Sequence, residues 1–244
     1  MIGMEMAEDI RINLVRELEE SPIIIEGLPG VGLVGGIAAS FMIDKLEMEL
    51  AGYVESRYLP PVALLRDGVT QHPFRIYAKG GVAVLYSDVP IAPALVYDLS
   101  KKIVEWASRI KAKQIITLAG IPSPLKEPAV YGVATSKEII EYLKSQDVEI
   151  LREGVISGMP GQVLLDCAQA GLPALCLLAQ TPGMSPDPRG AAELIKVLNR
   201  LHGFDIDVEP LIQEAEAIEA KMEELAKQTR KLKQQEVKEL PMFY

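Results

Sequence analysis

The stretch Ser21–Leu46, SPIIIEGLPGVGLVGGIAASFMIDKL, decides the fold. Three consecutive isoleucines form a short β-branched run with Pro22 at its start, the pattern of a strand covered on both faces. The glycine-rich GLPGVGLVGG follows, and then an apolar helical pattern to Leu46. A strand running through a glycine turn into a helix is the first half of a βαβ unit.

The same alternation continues outward. AGYVESRYL and FRIYAKGGVAVLYSD read as strands, the second as a hairpin turning at Gly80-Gly81. In APALVYDLSKKIVEWASRI, Leu95, Leu99, Ile103, Trp106 and Ile110 fall on one helical face. QIITLAG and AVYGVATS are strands, KEIIEYLKSQ and PGQVLLDCAQAG helices, and PALCLLAQ a strand. DPRGAAELIKVLNRLHG is a helix with Asp187 as its N-cap, Pro188 in its first turn and Gly203 at its end. Strands alternating with helices predict an α/β fold: a three-layer mixed sheet with helices on both faces, over residues 1–205.

The 244 residues suffice for a substantial core, and 49% hydrophobic with 24% charged residues is a globular composition. A net charge of −9 argues against a nucleic-acid footprint and against an anionic membrane surface. The acidic N-terminal stretch lacks the apolar core of a signal peptide, and no apolar run reaches the length of a membrane span. With only Cys167 and Cys176 there is no disulfide framework, and a reduced, cytoplasmic protein is expected. Scarce Asn and Cys beside many ion-pairing residues is a thermophile-like composition.

Gly30, Gly32 and Gly35 spell G-x-G-x-x-G, and Glu55 falls 20 residues after the last of them, near where a Rossmann acid would hold a ribose. Leu28-Pro29 interrupts the tight turn such a site needs, so the glycines are read as structural, permitting close helix–sheet packing. A nucleoside- or dinucleotide-binding enzyme using the Gly30–Gly36 loop is the alternative. His72 and His202 have no metal-ligand spacing; His202, next to Gly203, suits a helix C-terminus as a cation. Both cysteines and Trp106 are read as core residues, and Ser123 and Ser157 as loop residues outside any nucleophile elbow. No catalytic residue, metal or cofactor is expected.

From residue 206 the pattern changes. Leu211, Ala215, Ile218, Met222, Leu225, Thr229 and Leu232 are spaced four and three apart, a heptad seam over a helical segment assigned to 206–238. It packs on its own domain, packs against a partner subunit, or projects as a helical hairpin. Residues 239–244 are expected to be an exposed tail, in which Pro241 stops the helix and Met242, Phe243 and Tyr244 follow. Chain ends are usually polar, so an apolar triplet here points to docking in a partner's pocket, with a scaffold that hides the tail in its own oligomer as a further reading.

EGLPGVGLVGGIAASFMIDKL, ESRYLPP, TLAGIP and SGMPGQVLLDCAQAGLPALCLLAQTPG together resemble the proteasome assembly chaperone family, in particular its archaeal homologues. The resemblance implies a nucleoside-phosphorylase-like fold without enzymatic activity, a homo-oligomer, and binding to the 20S proteasome α-ring as assembly chaperone or activator, without ATP. It also implies a hydrophobic–tyrosine–any-residue tail entering pockets between α-ring subunits. Met242 matches its first position, Phe243 stands where tyrosine is expected, and Tyr244 takes the free position.

Overall fold

The computed structural model describes residues 9–123, 128–183 and 185–218. In chain order the strands are β1 (Arg11–Leu14), β2 (Ile23–Gly27), β3 (Glu49–Glu55), β4 (Leu64–Arg66), β5 (Val69–Gln71), β6 (Phe74–Lys79), β7 (Val82–Ser87), β8 (Gln114–Pro122), β9 (Val130–Ala134), β10 (Glu149–Ile150) and β11 (Ala174–Thr181). The helices are α1 (Val34–Lys45), α2 (Val96–Arg109), α3 (Lys137–Ser145), α4 (Gly158–Ala170) and α5 (Pro188–His202), and a further helix runs through 209–218.

Nine strands form one mixed sheet in the order β1-β3-β6-β7-β2-β8-β11-β9-β10, while β4 and β5 make a separate hairpin. The isoleucine run is central: β2 pairs parallel with β7 on one side and β8 on the other. Alternation along β2 sends Ile25 to the half-core under α1 and α5 and Ile24 to the half-core under α2 and α4. Both side chains are fully buried. Each such burial contributes roughly 1.5–3 kcal/mol relative to exposure, which is why a β-branched run without polar alternation makes a good central strand.

Local signals set the element ends. Gly80 and Gly81 take φ of 58° and 72°, as the two-residue β6–β7 turn requires. Asp187 accepts a hydrogen bond from the Gly190 N–H at 3.0 Å, capping α5, and Gly203 ends that helix in the left-handed region. The predicted stripe on α2 is the buried one: Leu95, Leu99, Ile103 and Trp106 are all within the core, with Ile110 packed against it.

The connectivity matters for any site. After β2 the chain moves out to β3, β6 and β7; after β7 it crosses over β2, through α2, to β8. The strand order therefore reverses at the C-terminal end of β2, the place where open α/β sheets hold ligands. Ile206, Val208 and Leu211 continue the half-core of α1 and α5.

Candidate functional site

The glycine loop lies at that reversal point. Gly30 precedes a single 3₁₀ turn at Val31–Leu33, and Gly32 has φ 63°. A Cβ on Gly32 would come 2.5 Å from Thr181 Oγ1, and one on Gly35 would come 2.2 Å from the Leu118 carbonyl oxygen. A Cβ on Gly27 would stand 2.3 Å from that of Ala39. These glycines let α1 press directly on β2 and β8, a contact that any side chain would push apart. Gly30 has open space around its Cβ position and extended backbone, so packing does not account for it. Glu55 stands on β3, three strand spacings (about 14 Å) from β2. A ribose-binding acid belongs on the strand next to the loop. Here Glu55 instead accepts from Asn13 Nδ2 at 3.3 Å.

Glu26 is a carboxyl group inside the core, 1% exposed. It alternates with Ile24 and Leu28, so its side chain points toward α2 and α4. Its register partner on β8 is Thr117, and Thr117's partner on β11 is Cys176, which makes a polar row across three central strands. Oε1 accepts the Leu28 N–H at 3.2 Å, while Oε2 has no hydrogen-bond partner among the described residues. Burial pushes the acid up to about 8, the one backbone hydrogen bond opposing it. Burial likewise pushes Cys167 and Cys176 up to about 12, so both thiols are inert core groups.

On the opposite face lies an open groove of about 1130 Å³. Its floor is the outer side of α1, with Ile37, Ser40 and Phe41, and the strands β6 and β7. The β4–β5 hairpin forms one wall and helix 209–218, through Leu211 and Glu214, the other. Arg75 anchors the floor. It is 6% exposed, donates from Nη1 to Gln71 Oε1 and pairs through Nη2 with Asp88. Its guanidinium also lies 5.7 Å and 5.6 Å from the ring centres of Tyr77 and Tyr86. The Tyr86 hydroxyl donates to Asp88 Oδ1 at 3.0 Å.

Leu211 and Ala215 are buried on their own domain, and Ile218 is half-buried. Met222, Leu225, Thr229 and Leu232, and the tail Met242, Phe243 and Tyr244, lie outside the described residues. Ser157 is at the N-cap position of α4 without a side-chain cap bond, and Ser123 follows β8. His202 corrects the expectation of a helix-end cation: burial lowers its pKa, and Nε2 has no hydrogen-bond partner among the described residues. Its ring packs 5.7 Å from that of Phe204, where a charged imidazole would lose its hydration. Among the described residues no cluster of His, Cys, Asp or Glu could hold a metal, and no helix is long and apolar enough to cross a membrane.

Residues 24–226 match the model of the PAC2 family. The chain belongs to the PAC2 family. The match spans the whole sheet from β2 onward, both helical layers and the start of the C-terminal segment. An uncharacterized protein of Methanocaldococcus jannaschii is 41% identical over 99% of this chain and 98% of its own. The crystal structure of Pyrococcus furiosus PbaA, described as an archaeal homolog of proteasome-assembly chaperone, is 40% identical. It superposes with a TM-score of 0.82, covering 94% of this chain and 99% of that one. Pyrococcus furiosus PbaB, described as an archaeal proteasome activator, is similar at 24% identity with a TM-score of 0.80, covering 89% of this chain and 99% of that one; it shows that the PAC2 fold is shared.

Arg75 and Glu26 belong to no sequence motif. A signal existed for each. Glu26 interrupts a continuous apolar strand, and Arg75 sits between Phe74 and Ile76 in a strand covered on both sides. A charge in either place needs a partner or a raised pKa.

Proposed function

We propose that this PAC2 protein is a non-catalytic, ATP-independent proteasome-binding factor, an assembly chaperone or activator of the core particle. One observation carries the reading: 40% identity and near-complete coverage with PbaA. The protein is not an enzyme; it works by presenting surfaces. The sheet arrangement is of the nucleoside-phosphorylase type, used as a scaffold, with residues 206–238 as a helical extension and 239–244 as the docking tail. Met242, Phe243 and Tyr244 enter pockets of the 20S α-ring, with the Phe243 ring as central anchor and the terminal carboxylate held by a cation. Self-association multiplies the tails, and effective concentration then raises a weak single contact by about 10²–10⁴-fold where the geometry fits.

The test is capture of purified core particles by the full chain and by the chain lacking Met242–Tyr244, at matched oligomer size. Retention by the full chain and loss in the truncated one is the expected result. Equal retention by both sinks the tail.

A further inference from the structure

Glu26 of β2 and Thr117 of β8 are register partners, exposed at only 1% and 0%. Partners on adjacent strands send their side chains to the same face. That face is the half-core under α2 and α4, since Ile24 and Ile115, two positions back on the two strands, both lie in it. Glu26 Oε2 and Thr117 Oγ1 are the only buried side-chain oxygens among the described residues without a hydrogen-bond partner. Folded proteins leave few such groups unpaired, and here the two stand opposite each other without bonding to one another.

The chemistry of each atom is set by its surroundings. Oε1 accepts the Leu28 N–H, and burial holds the proton on this carboxyl up to about 8. At neutral pH the proton therefore sits on Oε2, a donor that needs an acceptor. The Thr117 hydroxyl can both donate and accept. Adjacent strands lie about 4.8 Å apart, close to the span of two O–H···O bonds of about 2.7–2.8 Å meeting at one oxygen. Cys176, the next residue in the row, adds a weakly polar thiol on the same side. Thr117 and Cys176 are also small, which leaves room that a leucine or isoleucine would fill. A cation does not suit the spot, because the acid is protonated and burial pushes the thiol up to about 12.

We infer that one internal water binds between β2 and β8, accepting from Glu26 Oε2 and donating to Thr117 Oγ1. Buried waters make about two to four hydrogen bonds, and these two atoms supply the strong ones. The water completes a bridge from β8 through Glu26 to the Leu28 N–H, the first peptide of the glycine loop beyond β2. It thereby ties the start of that loop to the centre of the sheet, where the strand order reverses. The inference concerns the folded domain alone and stands apart from proteasome binding.

Crystals of the full chain and of its Thr117→Val variant test it. The parent should show a density peak within hydrogen-bond distance of both Glu26 Oε2 and Thr117 Oγ1, and the variant should lose it. A direct Glu26–Thr117 hydrogen bond in the parent, no peak between them, or a peak unchanged in Thr117→Val overturns the inference. Urea melts of Glu26→Met, Thr117→Val and the double variant give a second readout. Each single change leaves the opposite oxygen short of a partner, so the double variant should lose less than the two single losses together. Additive losses would likewise overturn it. Should Glu26→Met fail to fold, the crystal comparison decides alone.

Discussion

Gly35 of α1 rests on the Leu118 carbonyl of β8, so closely that a Cβ there would sit 2.2 Å from the oxygen. The obstacle is backbone, which cannot swing aside as a side-chain tip can. Gly35→Ala should therefore push α1 off the sheet, costing about 1–3 kcal/mol or more as overpacking. For a chain of this size that lowers Tm by about 2–4 °C per kcal/mol. Gly30→Ala has open space and an extended backbone, and should stay within about 0.5 kcal/mol. Thermal melts of the two variants check this; equal losses would mean that the loop glycines serve something other than packing.

What could be read in the sequence was the local grammar. The β2 isoleucines, the Gly80-Gly81 turn and the Asp187 and Gly203 caps each carry their signal within a few residues. The β4–β5 hairpin carried one too, since Asp67-Gly68 is a two-residue turn pair with φ of 51° and 79°. Its strands of three residues are too short to show alternation, so the turn pair has no flanking pattern to mark it as a hairpin. β1 is an edge strand of four residues within an acidic stretch, and it pairs with β3 some forty residues on. The groove has no sequence signature at all. Four segments far apart in the chain build it, and Arg75 meets Asp88 only because the β6–β7 hairpin folds one beside the other.

Glu26 sets a pH dependence of stability. In the unfolded chain its carboxyl titrates at an ordinary value near 4.5; in the fold it holds its proton up to about 8. Between those values the folded state binds more protons than the unfolded one, so this group's contribution falls as pH rises. The slope is at most about 1.4 kcal/mol per pH unit. Its contribution is whole below about 4.5 and lost above about 8. Glu26→Gln keeps the shape and removes the charge. Urea melts at pH 5 and pH 9 should show the variant gaining on the parent at the higher pH. A constant difference between the two would mean that Glu26 is not protonated in the folded core.

Arg75 and Asp88 hold the groove floor together. Asp88→Ala would leave a buried guanidinium with Gln71 and two aromatic rings but no counter-charge. Breaking a buried pair by removing one partner costs about 3–5 kcal/mol, and the partial exposure of Asp88 places this case near about 2–3. Arg75→Met with Asp88→Ala should recover part of that loss, since no buried charge remains. A double-mutant cycle by chemical denaturation reads the coupling directly; additive losses would show that the pair does not stabilise the floor.

Leu211 is the first residue of the seam. It is 2% exposed within the half-core of α1 and α5, so Leu211→Ala should destabilise each domain by about 2–5 kcal/mol whatever the oligomeric state. The melt of a sample diluted until monomeric should show the same loss as a concentrated one. A loss confined to the concentrated sample would move Leu211 from the domain core to a subunit contact.

The tail prediction turns on a single oxygen. Phe243 stands where the family resemblance leads one to expect tyrosine, and it has the ring but lacks the hydroxyl. Should docking rest mainly on the aromatic anchor, Phe243→Ala costs about 2 kcal/mol or more, a hot-spot loss, in binding to core particles. Phe243→Tyr then matches or exceeds the parent by the net worth of one hydrogen bond, about 0.5–1.5 kcal/mol. Under the proposed docking, adding one residue after Tyr244 would move the carboxylate away from the cation proposed to hold it, and should weaken binding without touching the ring. Surface-binding measurements on immobilised core particles rank the four chains. The expected order is Phe243→Tyr at or above the parent, then the extended chain, then Phe243→Ala. An extended chain that binds as well as the parent would remove the carboxylate from the contact, and a Phe243→Ala chain that does so would remove the tail.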